Sequence, residues 1–121
     1  MTLDRSTHSV LILEDSVLVA MAIEVALTDH GFDSIVAGTL AAANERLGRM
    51  LPAVALLDLH LPDGDSVALA RSLHERGCLV AICSGTDKLP AECDFATSFR
   101  KPVVPAELVA WVDEVTRTIE A

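Results

Sequence analysis

The sequence predicts a single α/β domain on a parallel sheet, and three observations carry that reading. Short apolar runs recur at Val10–Leu13, Ser34–Ala37, Val54–Leu57, Leu79–Cys83 and Phe95–Phe99. Between them lie longer stretches with helical spacing and helix start and stop residues. Short strands alternating with helices of several turns are the mark of repeated β-α units, whose strands align in parallel. The chain is 121 residues long, enough for one continuous core and too short for a second.

Each element has its own local signal. After the first strand, Ser16 is placed to cap a helix running to about Asp29, with Gly31 just past its end. After the second, Thr39 caps a helix expected to reach about Leu51 and to be closed by Pro52. Gly64–Ser66 opens a third helix, which stops at Gly77. Between the fourth and fifth strands, Gly85–Asp94 is too short for a normal crossover helix, and Pro90 limits helix formation further. The fourth helix is therefore expected to be short or missing. Pro105 sits in the first turn of a last helix continuing to about Ile119. Residues 1–8 read as a polar tail and 9–120 as the domain; no internal repeat or linker interrupts it.

Composition excludes several classes of function. Nine Lys and Arg stand against 18 Asp and Glu, a net charge of −9, which argues against holding a nucleic-acid backbone. With 51% apolar residues the chain is no disordered acidic tail, although Phe32, Phe95, Phe99 and Trp111 are its only aromatics. No apolar run approaches the roughly 18 to 20 residues of a membrane span. The mixed polar start is not that of a signal peptide. Cys78, Cys83 and Cys93 are odd in number and lack CxxC spacing, so they read as buried or half-buried free thiols of a reducing compartment. The cytoplasm is the expected location.

In an open parallel sheet, ligands bind beyond the carboxyl ends of the strands, near the point where strand order reverses. Glu14 and Asp15 follow the first strand, and Asp58 ends the third. Ser84-Gly85-Thr86 follows the fourth, and Lys101-Pro102 the fifth. Three carboxylates held close raise one another's pKa unless a cation sits among them. A hard divalent ion such as Mg²⁺ suits oxygen donors. A lysine and a serine hydroxyl on the same edge can hold phosphoryl oxygens. An ionised Asp58 so supported has what phosphoryl transfer to a carboxylate needs.

Over residues 9–120 the chain resembles the receiver domain of two-component response regulators. The matching pieces are Val10-Leu-Ile-Leu-Glu-Asp-Ser16, Leu56-Leu-Asp-Leu-His-Leu-Pro-Asp-Gly64, Ala81-Ile-Cys-Ser-Gly85 and Arg100-Lys-Pro102. The resemblance implies a doubly wound, flavodoxin-like five-stranded sheet of order 2-1-3-4-5 with helices on both faces. It implies that Asp58 accepts the phosphoryl group and that Asp15 ligates Mg²⁺ directly, with Glu14 acting through water. By the same resemblance the backbone carbonyl of His60 would complete the protein's share of the metal shell, Ser84 and Lys101 would hold phosphoryl oxygens, and the Lys101–Pro102 bond would be cis. The implied partners are a sensor histidine kinase or histidine phosphotransfer protein and a downstream protein target, with no nucleic acid and no membrane.

The sequence departs from the receiver pattern in places. Ser98 stands three positions before the lysine, where receivers usually carry an aromatic residue, and Phe99 faces the other way on its strand. Val103 replaces the phenylalanine that often follows Lys-Pro. The short Gly85–Asp94 segment is similar to that of a group of small stand-alone receivers with a reduced fourth helix.

Several residues carry two readings. The His60 side chain is expected to face solvent and to modulate access to Asp58; His8, His30 and His74 read as surface residues near element ends. From Val17 to Leu27 the first helix has a single charge, Glu24. Either its small alanines face solvent harmlessly, or an exposed patch docks a kinase bundle, a phosphotransfer domain or, as a weak homodimer, a second copy. Trp111 reads as core or edge packing. The leading expectation is a single-domain switch, with no enzymatic turnover beyond self-phosphorylation and dephosphorylation at Asp58. The alternatives are a phosphate sink or phosphorelay intermediate, and an adaptor never phosphorylated. An aspartate-nucleophile phosphatase would need Asp-x-Asp, but position 60 is His; a flavin carrier would need a neutral phosphate loop in place of Glu14-Asp15.

Overall fold

The computed structural model describes residues 9–86 and 88–120. The polar tail expected at residues 1–8, His8 included, lies outside the described residues. The elements are β1 (Ser9–Leu13), α1 (Val17–Asp29), β2 (Asp33–Ala37), α2 (Leu40–Leu47), β3 (Val54–Asp58), β4 (His60–Leu61), β5 (Gly64–Asp65), α3 (Val67–Glu75), β6 (Leu79–Ser84), β7 (Thr97–Arg100) and α4 (Pro105–Glu120). A five-stranded parallel sheet runs in the order β2-β1-β3-β6-β7, the expected doubly wound arrangement, and β4 and β5 form a separate antiparallel hairpin.

Both faces of the sheet are covered, which is why every residue of β1 and β3 is buried. Alternate side chains divide the core into two halves. Leu11, Leu13, Leu57 and Ile82 pack with Ala43 and Leu47 of α2 and Ala70 and Leu73 of α3. Val10, Ile12, Leu56 and Cys83 pack with Ala20, Ile23 and Leu27 of α1 and Leu108, Val109 and Val112 of α4. Phe99 meets Trp111 edge-to-face at 6.0 Å on this second side, which makes Trp111 an edge-packing residue. All three cysteines are free and buried. Among the described residues no helix is long and apolar enough to cross a membrane.

The helix caps fall where the sequence puts them for α1 and α2. The Ser16 and Thr39 hydroxyls accept from the amides of Val19 and Ala42, at 3.4 and 3.1 Å. Two element boundaries differ from expectation. The second helix ends at Leu47, four residues before Leu51. Leu47 is its last core-facing residue, Gly48 weakens the next turn, and Arg49 and Met50 are exposed. Leu51 still packs on the core, from the loop leading to Pro52.

The fifth sheet strand begins at Thr97 rather than Phe95. Phe95 and Ala96 are apolar because they fill the core from a turn: the Ala96 amide donates to the Cys93 carbonyl at 3.0 Å. Phe95 stacks on the His74 ring at 4.2 Å. A single 3₁₀ turn, Ala91–Cys93, stands in place of the fourth helix. Leu89, Cys93 and Phe95 supply the apolar cover that such a helix would bring.

Candidate functional site

The strand order reverses between β1 and β3, so the crevice of the fold lies beyond the carboxyl ends of these two strands. Glu14 and Asp15 leave β1 there, and Asp58 is the last residue of β3. Lys101 follows β7, with its amide bonded to the Ser84 carbonyl at 2.8 Å and a cis bond to Pro102, as expected. The sheet register thereby brings residues far apart in sequence to one edge. Carboxylate oxygens of Glu14, Asp15 and Asp58 lie within 4.8 Å of one another. A groove of about 490 Å³ opens beside them, lined by Glu14, Asp15, Ser16, Val19, Lys101, Pro102 and Val103.

Burial sets the electrostatics. Asp58 is only 2% exposed and Glu14 6%, whereas Asp15 is exposed. Lys101 Nζ lies 3.0 Å from Asp58 Oδ1 and 4.0 Å from Glu14 Oε1. Glu14 is pushed up to about 7, first by burial and then by its contact with Asp58; the Ser16 amide, 3.0 Å from its Oε2, and Lys101 pull the other way. Burial alone would lower the lysine, but the Asp58 and Glu14 carboxylates outweigh it and raise Lys101.

The donor set fits a hard divalent cation. Asp58 Oδ2 is buried with no hydrogen-bond partner among the described residues, an orphan a native structure seldom keeps without a reason. One ammonium faces three crowded carboxyl groups. A proton on Glu14 relieves part of that repulsion, and a cation with oxygen affinity, as Mg²⁺ has, relieves it with all three ionised. Glu14, Asp15 and Asp58 are the side chains that could hold it.

The other expected residues are placed as follows. Ser84 ends β6 and is buried, and its hydroxyl contacts Thr86 Oγ1 at 3.1 Å and accepts from the Thr86 amide at 3.1 Å. Thr86 Oγ1 in turn donates to the Lys88 carbonyl at 3.1 Å. His60 is exposed at the start of the hairpin, paired with Asp65. Ser98 is exposed on β7, while Phe99 packs on the opposite face of the sheet. His30 and His74 are exposed at the ends of α1 and α3.

Two contributors escaped the sequence reading. Asp63 accepts from the amides of Leu40 and Ala41 at 2.9 and 3.1 Å, tying the loop after Asp58 to the start of α2. Ser66 donates its hydroxyl to the Asp58 carbonyl at 2.7 Å. The Asp-Gly turn marks a bend but not the helix it caps, and a serine before a helix looks like an ordinary cap.

No protein-family model matches the chain. A response regulator receiver protein of Anaeromyxobacter sp. (strain Fw109-5) is 35% identical over 94 residues, covering 76% of this chain and 39% of that protein. The chain thus spans about two-fifths of that relative's length. A CheY-like response regulator receiver domain from Methanospirillum hungatei JF-1 superposes with a TM-score of 0.81 at 22% identity, over 93% of this chain and 95% of that one. The N-terminal domain of a response regulator/sensory box/GGDEF three-domain protein from Carboxydothermus hydrogenoformans gives 0.76 at 25%, over 93% and 96%. The chain has the receiver-domain fold, and its sequence is akin to that of a response regulator receiver protein.

Proposed function

We propose that this receiver-fold chain is a phosphoacceptor in two-component signalling, in which Asp58 takes a phosphoryl group with Mg²⁺ and the modified domain acts through protein contacts. One observation carries the proposal. A nearly inaccessible aspartate lies 3.0 Å from a lysine ammonium and within 4.8 Å of two further acids, at the crevice of the sheet.

Asp58 is the nucleophile. One of its carboxylate oxygens forms a bond to phosphorus as the donor's nitrogen–phosphorus bond breaks; the electron pair leaves with the donor imidazole, which takes up a proton. Lys101, already paired with Asp58, shifts its ion pairing to a phosphoryl oxygen as the carboxylate becomes an acyl phosphate. The Ser84 hydroxyl turns to another phosphoryl oxygen. Asp58, Asp15, Glu14 and the His60 carbonyl would hold Mg²⁺, which would supply charge neutralisation when bound. Water later cleaves the acyl phosphate, releasing inorganic phosphate and restoring Asp58. The expected donors are a sensor histidine kinase or a histidine phosphotransfer protein, in the cytoplasm.

The test is intact-mass analysis after incubation with acetyl phosphate, with and without Mg²⁺. The expected result is one added phosphoryl group that requires Mg²⁺ and is lost in Asp58→Asn. No gain with acetyl phosphate or any candidate kinase would leave the chain an adaptor that is never phosphorylated.

A further inference from the structure

Ser66 sits at the start of α3 and is completely buried. A serine there ordinarily turns its hydroxyl onto the first amides of its own helix. This one makes no such bond, and the Val67 amide is taken by Asp65 Oδ1 at 3.0 Å instead. The Ser66 hydroxyl reaches back eight residues to donate to the main-chain carbonyl of Asp58 at 2.7 Å. Its amide donates to the Leu59 carbonyl at 2.9 Å, and its own carbonyl accepts the first helical bond, from Ala70, at 2.8 Å. On the other side the Leu59 amide donates to the Cys83 carbonyl of β6 at 3.0 Å. The peptide joining Asp58 to Leu59 is thus held from both sides, between the sheet and the start of α3.

That peptide is where the chain leaves the sheet. Its orientation fixes how the Asp58 carboxylate stands toward Glu14, Asp15 and Lys101, and how the following loop presents the His60 carbonyl. We infer that Ser66 is a positioning residue for the phosphoacceptor: its hydroxyl locks the Asp58 carbonyl so that the carboxyl cluster keeps the geometry in which it binds Mg²⁺. The inference rests on the phosphoacceptor reading above and deepens it. Partners that orient metal ligands commonly govern affinity by about 10- to 100-fold.

The test is a calorimetric titration with Mg²⁺ alone, with thermal melting of each protein alongside. Ser66→Ala removes the donor and is expected to weaken Mg²⁺ binding about tenfold. Ser66→Cys keeps the shape at slightly greater volume but offers a weak donor, and should fall between Ser66→Ala and wild type; it carries the test if Ser66→Ala does not fold. Thr116→Val is the control. It removes another buried hydroxyl, bonded to the Val112 carbonyl at 2.8 Å on α4, and should leave Mg²⁺ affinity unchanged. Binding within twofold of wild type in Ser66→Ala, or in Ser66→Cys if it alone folds, overturns the positioning role and leaves the phosphoacceptor reading standing. An equal loss in Thr116→Val also overturns it, because general loosening would then explain the effect. A wild-type protein that neither binds Mg²⁺ nor gains a phosphoryl group overturns both.

Discussion

Lys101 Nζ and Asp58 Oδ1 are 3.0 Å apart, yet the lysine side chain is 37% exposed and that of the aspartate 2%. The ammonium therefore bridges solvent and a buried carboxylate. Lys101→Ala removes the charge that balances the incoming group while leaving all three acids in place. Phosphorylation by acetyl phosphate should slow by about 10²–10³-fold, the usual cost of losing one charge-stabilising donor. Mg²⁺ affinity should hold or rise, since a competing cation is gone from the cluster. Mass spectrometry read against calorimetry separates the two effects, and a collapse of Mg²⁺ binding would mean that the lysine orders the site instead of serving the transfer.

Ser84 is tied to Thr86 through its own hydroxyl and through the Thr86 amide. If Ser84 turns to a phosphoryl oxygen during transfer, Ser84→Ala and Thr86→Val have different consequences. Ser84→Ala should slow phosphorylation by roughly 10²-fold, the lower end expected for one lost donor. Thr86→Val frees the serine hydroxyl from one competing partner and should not slow it. Time courses of acetyl phosphate labelling on both variants check this, and equal slowing in both would point to loop disorder as the cause.

Asp63 gives a pH-dependent contribution of defined sign. Its carboxyl is held below the usual aspartate range, first by the Leu40 amide and next by the Ala41 amide. A depressed native pKa means that the contribution is fully present above the unfolded value of 3.8 and is lost as pH falls through the native value. Asp63→Ala should thus melt below wild type at neutral pH. The gap in melting temperature should close as pH drops from about 4 toward 2. A gap that stays constant to low pH would show that the two amide bonds do not carry the effect.

The sequence was most informative where topology does the placing. Glu14, Asp15, Asp58 and Lys101 could be gathered from the chain because a parallel sheet puts the carboxyl ends of its strands on one edge, whatever the loops do. The short segment after Ser84 and the opposite facing of Ser98 and Phe99 follow equally from spacing and from the alternation of side chains along a strand. Ser66, Thr86 and Asp63 were not legible in the same way. Each is a small polar residue whose partner depends on the path of a loop, and such residues look alike wherever a loop meets a helix. Phe95 misled for a related reason: an apolar residue beside a strand fills the core as readily from a turn as from the ladder.

The outer face of α1 gives the last expected outcome. Val17 and Leu18 are 70% and 79% exposed, and Met21 and Val25 lie farther along the same helix more than half exposed. The buried side of the helix is held by Ala20, Ile23 and Leu27, so these outer residues add little to the core. Leu18→Glu should therefore leave the melting temperature almost unchanged, as exposed substitutions away from packed features shift stability by within about 0.5 kcal/mol. Labelling by acetyl phosphate should also be unaffected, because a small donor needs only the crevice. If the face receives a protein phosphodonor, labelling by that donor should fall at least tenfold, which separates recognition from chemistry on one substitution. Equal labelling of Leu18→Glu and wild type by the protein donor would assign the exposed face no part in receiving it.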